Sequence, residues 1–108
     1  MLKKQNRLSR VVKKNKANVY SSAFFNIKIY DSQEESARFG FVVSKKVSRK
    51  AVTRNKTKRV LRDVAQDLLP KIKSAKDIIV FSKVELNSKQ KEEVKGAMAD
   101  IFTKAGVM

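Results

Sequence analysis

From Ala23 to Tyr30 apolar and polar side chains alternate, with Phe25, Ile27 and Ile29 on one side and Phe24, Asn26, Lys28 and Tyr30 on the other. That period of two is the mark of a half-buried strand. Arg38 to Lys45 repeats it, opposing Phe39, Phe41 and Val43 to Gly40, Val42 and Ser44. The polar run Asp31 to Ser36 between the two predicts that they form a hairpin. From Val52 to Leu69 the period lengthens to 3.6, with Val60, Leu61, Val64, Ala65, Leu68 and Leu69 along one face; this is a helix, and Pro70 stops it. Asp77 then introduces Ile78-Ile79-Val80-Phe81, too short for a buried helix and rich in β-branched residues, hence a central strand. Asn87 or Ser88 can cap a last helix whose buried stripe is Val94, Ala97, Met98, Ile101 and Phe102. At the front, Asn6 can cap a short helix ending near Asn15, with Leu8, Val11 and Val12 on one side and Arg7, Arg10, Lys13 and Lys14 around the rest. The order α-β-β-α-β-α, with room for one extra short strand, predicts an α+β fold: a two-layer α/β sandwich. Neither repeats nor linkers interrupt it, so residues 1–108 are expected to form a single domain.

Composition narrows the chemistry. The 108 residues include no Cys, no His and no Trp, which removes thiolate nucleophiles, zinc-thiolate sites and the usual general base. A binding protein is the expectation, with no catalytic residue and no metal site of its own. No run approaches the ~18 apolar residues of a membrane span, and the N-terminus is too charged for a signal peptide, so a cytoplasmic location is expected.

The layout of charge says more than the net +16. The first 30 residues carry eight basic side chains and no acid, and Ser36 to Arg62 carry ten and again none. All ten carboxylates fall elsewhere, at Asp31 to Glu35 and then from Asp63 onward, where they mix with lysines as on an ordinary solvated surface. Concentrated like charge in a small fold is self-repelling unless a polyanion neutralises it. On the central helix Arg54, Lys58 and Arg62 recur every four residues opposite the apolar stripe, with Asn55 and Arg59 beside them. A merely solvated helix would intersperse acids to form i,i+4 pairs; none occurs here before Asp63. Arg can grip phosphate through two N–H groups and Lys as a mobile point charge, so nucleic acid is the expected partner class.

Two stretches also carry a family resemblance. Arg38-Phe39-Gly40-Phe41-Val42-Val43-Ser44-Lys45-Lys46-Val47, followed by Ala51-Val52-Thr53-Arg54-Asn55-Lys56-Thr57-Lys58-Arg59 and Arg62, resembles the protein subunit of bacterial ribonuclease P in residue type, order and spacing. The basic N-terminal helix and the Asp77-Ile78-Ile79-Val80 strand fit as well, so the likeness covers most of residues 2–104. Three positions depart from it. Ser48-Arg49-Lys50 replaces a Gly plus one residue, Leu8 and Val12 stand where the first helix often carries two Phe, and Asn15 stands near a common Gly.

The resemblance implies a protein that pairs with a large catalytic RNA in an endoribonuclease that removes the 5′ leader of precursor tRNA. It also implies that the catalytic magnesium is bound mainly by the RNA, that no cofactor is held by the protein alone, and that neither a membrane nor an obligatory protein partner is involved. By the same resemblance Arg54, Asn55, Lys56, Lys58, Arg59 and Arg62 would lie against the catalytic RNA. Lys45, Lys46 and Lys50 would touch one RNA or the other. A cleft between the first helix and the open sheet face would hold the single-stranded leader. The strand phases nominate the same face: Phe24, Asn26, Lys28 and Tyr30 with Val42 and Ser44, joined by Leu8 and Val12 from the helix. There Phe24 or Tyr30 could stack a base and Lys28 could meet a phosphate. The family's crossover through the Arg54 helix is left-handed, where the general rule predicts a right-handed one. A non-catalytic RNA binder of ribosomal-protein type is the alternative, and a major-groove DNA reader a more distant one. A free-standing nuclease using Asp63 and Asp67 has too few ligands for a metal, since Asp63 more simply pairs with Arg59 or Arg62.

Overall fold

The computed structural model describes Asn6, residues 17–32 and residues 36–108. The expected first helix, with Leu8, Val11, Val12 and Asn15, lies outside the described residues. Four strands and two helices follow in chain order: β1 (Asn18–Ser21), β2 (Phe25–Asp31), β3 (Arg38–Val42), α1 (Ala51–Leu68), β4 (Lys76–Ser82) and α2 (Lys91–Ala105). The sheet order is β1-β2-β4-β3, with β1–β2 and β2–β4 antiparallel and β3–β4 parallel. This is the expected α+β fold, and β1 is the extra short strand.

One topological expectation is overturned. Strands 23–30 and 38–45 were expected to form a hairpin, but β4 lies between them, and β2 makes its hairpin with β1 across Ser22-Ala23-Phe24. The reason is the composition of β4. Its Ile78 and Val80 enter the core while Ile79, 2% exposed, is buried on the opposite face. A strand apolar on both faces is most stable in the sheet interior with a neighbour on each side. Asp77, expected to precede this strand, is part of it. It is buried and receives two hydrogen bonds of 2.8 Å from the Arg38 guanidinium, tying β3 to β4 where the two residues are register partners.

The core lies between one sheet face and the two helices. Phe25, Ile27, Phe39, Ile78 and Val80 from the sheet meet Leu61, Val64, Leu68, Val94, Met98 and Phe102 from the helices. Each such side chain withdrawn from water contributes about 1.5–3 kcal/mol. Pro70 falls in a single tight turn, Leu69–Lys71, directly after α1, as expected. Leu69 is only half-buried but packs against the core. The single turn Ser88–Gln90 that leads into α2 is capped at Asn87, as expected: Asn87 accepts from the Lys89 N–H and Gln90 accepts from the Asn87 N–H. Gly106, at φ 76°, closes α2 in the left-handed conformation that glycine adopts most readily. The next residue, Val107, then turns back into the core.

Candidate nucleic-acid interface

Helix α1 is fastened to the core by one face, which leaves the other for its cations. Thr57 lies among the basic residues yet is fully buried. Its hydroxyl donates to the Thr53 carbonyl at 3.0 Å and accepts from the Leu86 N–H at 3.1 Å. One side chain thereby anchors the basic half of α1 to the segment between β4 and α2. Asn55, Lys56 and Arg59 are exposed, and Lys58 and Arg62 are half-buried, in keeping with their predicted placement. Among the described residues none of these four cations takes part in an ion pair. Asp63 does not pair with Arg59 or Arg62 as expected; the α1 carboxylate that does pair is Asp67, with Lys91 and Lys95 of α2.

Arg54 behaves differently. It is half-buried, and its guanidinium donates to the carbonyls of Ser48 and Arg49 at 3.1 and 3.0 Å. These bonds fix the path of the Ser48-Arg49-Lys50 loop, together with the 3.3 Å bond from the Lys50 N–H to the Ser48 hydroxyl. Arg54 is thus a brace for the loop as well as a cation on the surface, a role that helical periodicity alone does not reveal. Lys45 and Lys46 are exposed in the turn after β3, which the Val47 N–H closes onto the Ser44 carbonyl. Lys50, also exposed, is the N-cap of α1 but makes no side-chain cap bond, and no acid occupies the first turn. Free N–H groups and the positive end of the helix dipole therefore coincide with lysines and arginines, an arrangement unfavourable for the chain alone and favourable for a phosphate. A depression of about 580 Å³ opens here, lined by residues 45–50, Thr53 and Glu85.

The sheet face away from the core presents a second surface. Strand register sets out its rows: Ser21, Asn26, Phe81 and Val42 in one, then Val19, Lys28, Ile79 and Gly40, then Tyr30, Asp77 and Arg38. Asn26, Lys28 and Val42 fall on this face as predicted and are half-buried; Ser44, beyond the end of β3, is exposed. Two aromatic placements differ. Phe24 belongs to the β1–β2 turn rather than to the strand and packs against the core, its ring 6.4 Å from that of Phe25. The alternating phase breaks there because Ser22 draws the chain into a turn, its hydroxyl accepting from the Phe24 and Phe25 N–H groups. Tyr30 is on the expected face but only 6% exposed, leaving little ring surface for a base. The aromatic that the open face does offer is Phe81, half-buried, with the Lys28 ammonium 5.3 Å from its ring centroid. Period-two counting inside the Ile78–Phe81 run assigns Phe81 to this face, but a continuous apolar run reads as core and hides the alternation. Leu8 and Val12 lie outside the described residues.

No group of three or more acidic, His or Cys side chains that could hold a metal occurs among the described residues, and none of their helices is long and apolar enough to cross a membrane. A cationic helix carried on a small α+β scaffold, beside a sheet face on which Asn26, Lys28, Val42 and Phe81 are half-buried, defines a protein of the polyanion-binding class. Comparison with known proteins makes this specific. The Ribonuclease P family model matches residues 1–106. The ribonuclease P protein component of Pseudanabaena sp. (strain PCC 6903) is 36% identical over 115 residues, covering 100% of this chain and 97% of the relative. That of Bacillus cereus (strain B4264) is 29% identical over 106 residues, covering 98% and 90%. Among solved structures, the RNase P protein of Staphylococcus aureus superposes with a TM-score of 0.71 at 27% identity, covering 94% of this chain and 96% of that one. The RNase P protein of Thermotoga maritima, at 23% identity and a TM-score of 0.67 over 82% and 83% of the two chains, shares the fold.

The chain belongs to the ribonuclease P protein family. Membership makes it an RNA-binding component of a ribonucleoprotein endoribonuclease of tRNA processing.

Proposed function

We propose that this protein assembles with the RNA subunit of ribonuclease P through the α1 face and the turn before it, and holds the 5′ leader of precursor tRNA on its open sheet face. Asn55, Lys56, Lys58, Arg59 and Arg62 contact the catalytic RNA, Arg54 contributes charge while bracing its loop, and Lys45, Lys46 and Lys50 reach whichever RNA strand passes the start of α1. Asn26, Lys28, Val42 and Ser44 belong to the leader surface, which Leu8 and Val12 would complete. The observation that supports this most is the set of α1 cations that no acid of the described residues pairs, set on a helix otherwise well anchored. Phosphates are the groups that would neutralise them.

Hydrolysis in this reading belongs to the RNA, whose bound magnesium supplies activation of water and stabilisation of the leaving oxygen. The protein's part is electrostatic and positional. It lowers the magnesium needed to hold a folded RNA against a second polyanion, and it adds binding energy on the leader that mature tRNA lacks, which favours substrate over product. No membrane and no further protein partner is needed, and the protein would work in the cytoplasm as a single domain.

The test is cleavage of a precursor tRNA at low magnesium by a bacterial ribonuclease P RNA with and without this protein. The expected result is cleavage that depends on the protein and tighter binding of leader-bearing than of mature tRNA. Cleavage by the protein without RNA, or no effect of adding it, overturns the proposal.

A further inference from the structure

Three hydrogen-bonding groups on the open face form a directed chain. The Lys83 ammonium donates to the Ser21 hydroxyl at 2.8 Å and to the Ser22 carbonyl at 2.8 Å. The Ser21 hydroxyl donates in turn to the Asn26 side-chain oxygen at 2.7 Å. An ammonium can only donate, so Ser21 accepts from it, and the hydroxyl's own proton is directed to the Asn26 oxygen. The amide is thereby oriented, and its NH2 group donates to nothing among the described residues. Asn26 and Phe81 are register partners on adjacent strands, so this free donor stands beside the aromatic ring of the face. Val42 flanks the ring on the other side.

We propose that Phe81 and Asn26 together form a site for one unpaired nucleotide, the base stacking on the Phe81 ring while the Asn26 amide donates to an acceptor on the base edge. The proposal rests on the reading of the open face as the leader surface and deepens it. Lys28 completes the site. In the free protein its ammonium sits by the ring; a cation at a partly exposed ring is held less strongly than a base stacked there. The arriving base displaces the lysine from the ring, and the freed ammonium meets the phosphate of the same strand. The stacking role expected of Phe24 or Tyr30 is in this way supplied by the central strand.

The experiment is a double-substitution cycle in the reconstituted ribonucleoprotein. The quantity read is the ratio of the Kd for mature tRNA to that for precursor tRNA, determined for an ordinary leader and for one made abasic along its length. Wild-type protein is expected to bind the ordinary leader more tightly than the abasic one, and Phe81→Leu to lower the ratio for the ordinary leader about 10-fold. With the abasic leader Phe81→Leu is expected to change nothing further. Asn26→Asp, which keeps the shape but loses the donor, should lower the ordinary ratio in the same leader-dependent way. Independent, additive losses in the protein carrying both Phe81→Leu and Asn26→Asp, or an undiminished ratio in both single variants, overturn the nucleotide site and leave the leader reading standing. A wild-type ratio of one overturns the leader reading and the site with it.

Discussion

The two helices on the same sheet face obey opposite rules. Helix α2 is entered through a turn that Asn87 and Gln90 cap reciprocally, carries Glu92 and Glu93 in its first turn and Lys104 in its last, and ends on Gly106. Every one of those choices favours a helix in isolation. Helix α1 begins at an uncapped Lys50, has no acid in its first turn and no base in its last, and leaves Val52 67% exposed. The contrast teaches where this molecule tolerates local disadvantage. α2 is satisfied within the chain, whereas α1 leaves cations and N–H groups that, in the function proposed above, RNA satisfies.

The comparison can be broken most forcefully with salt. If α1 and the preceding turn make about 6–10 phosphate contacts, affinity for the catalytic RNA falls about 10³–10⁵-fold between roughly 50 and 200 mM salt. A filter-binding series that stays flat would falsify the division between the helices. Next in size is a matched pair of variants. Arg59→Ala with Arg62→Ala is expected to weaken assembly about 100-fold, as loss of two charge-assisted contacts should, with thermal stability shifted by no more than about 0.5 kcal/mol. Lys91→Ala with Lys95→Ala on α2 is expected to do the reverse: little change in RNA affinity, and loss of a partly exposed ion-pair group worth at most about 1 kcal/mol. Equal effects on binding from the two helices would erase the contrast.

A third substitution separates the anchoring of α1 from its charge. Thr57→Val leaves the Leu86 N–H buried without an acceptor and should lower stability by about 1–3 kcal/mol in urea unfolding. RNA affinity measured under conditions where the variant is folded should change far less; a large loss of affinity at intact stability would show that Thr57 serves the RNA directly. The smallest effect sharpens the comparison from the other side. Lys50→Ser gives α1 the cap it lacks and should stabilise the protein by about 0.5–1 kcal/mol while weakening RNA binding. Loss of both stability and affinity would mean that Lys50 already supports the helix.

How much of this was legible in the sequence depended on the range of the interaction. The α1 and α2 stripes, the stop at Pro70 and the Asn87 cap are local patterns, and period and capping chemistry located them. Partners far apart in the chain were harder. The pairing of β2 with β4 instead of β3 turns on which strand has two apolar faces, and adjacency in sequence favoured the wrong neighbour. Arg54 illustrates the same limit within the interface. Its spacing from Lys58 and Arg62 identified the cationic row, but its bonds to the Ser48 and Arg49 carbonyls depend on a loop whose path no periodicity encodes. Phe24 and Phe81 exchanged roles for a related reason: a serine-led turn shifted the phase at one, and a run of apolar neighbours concealed it at the other.

The insertion of β4 between β2 and β3 also sets an order of events during synthesis. The β1–β2 hairpin can close as soon as it leaves the ribosome, but among the described strands β3 has its sheet neighbour only in β4, about 40 residues later in the chain by the register of Arg38 with Asp77. Until that strand emerges, α1 has been translated without the complete surface on which it packs. Like-charge repulsion among its cations opposes self-association of the unfinished chain until this long-range pairing forms.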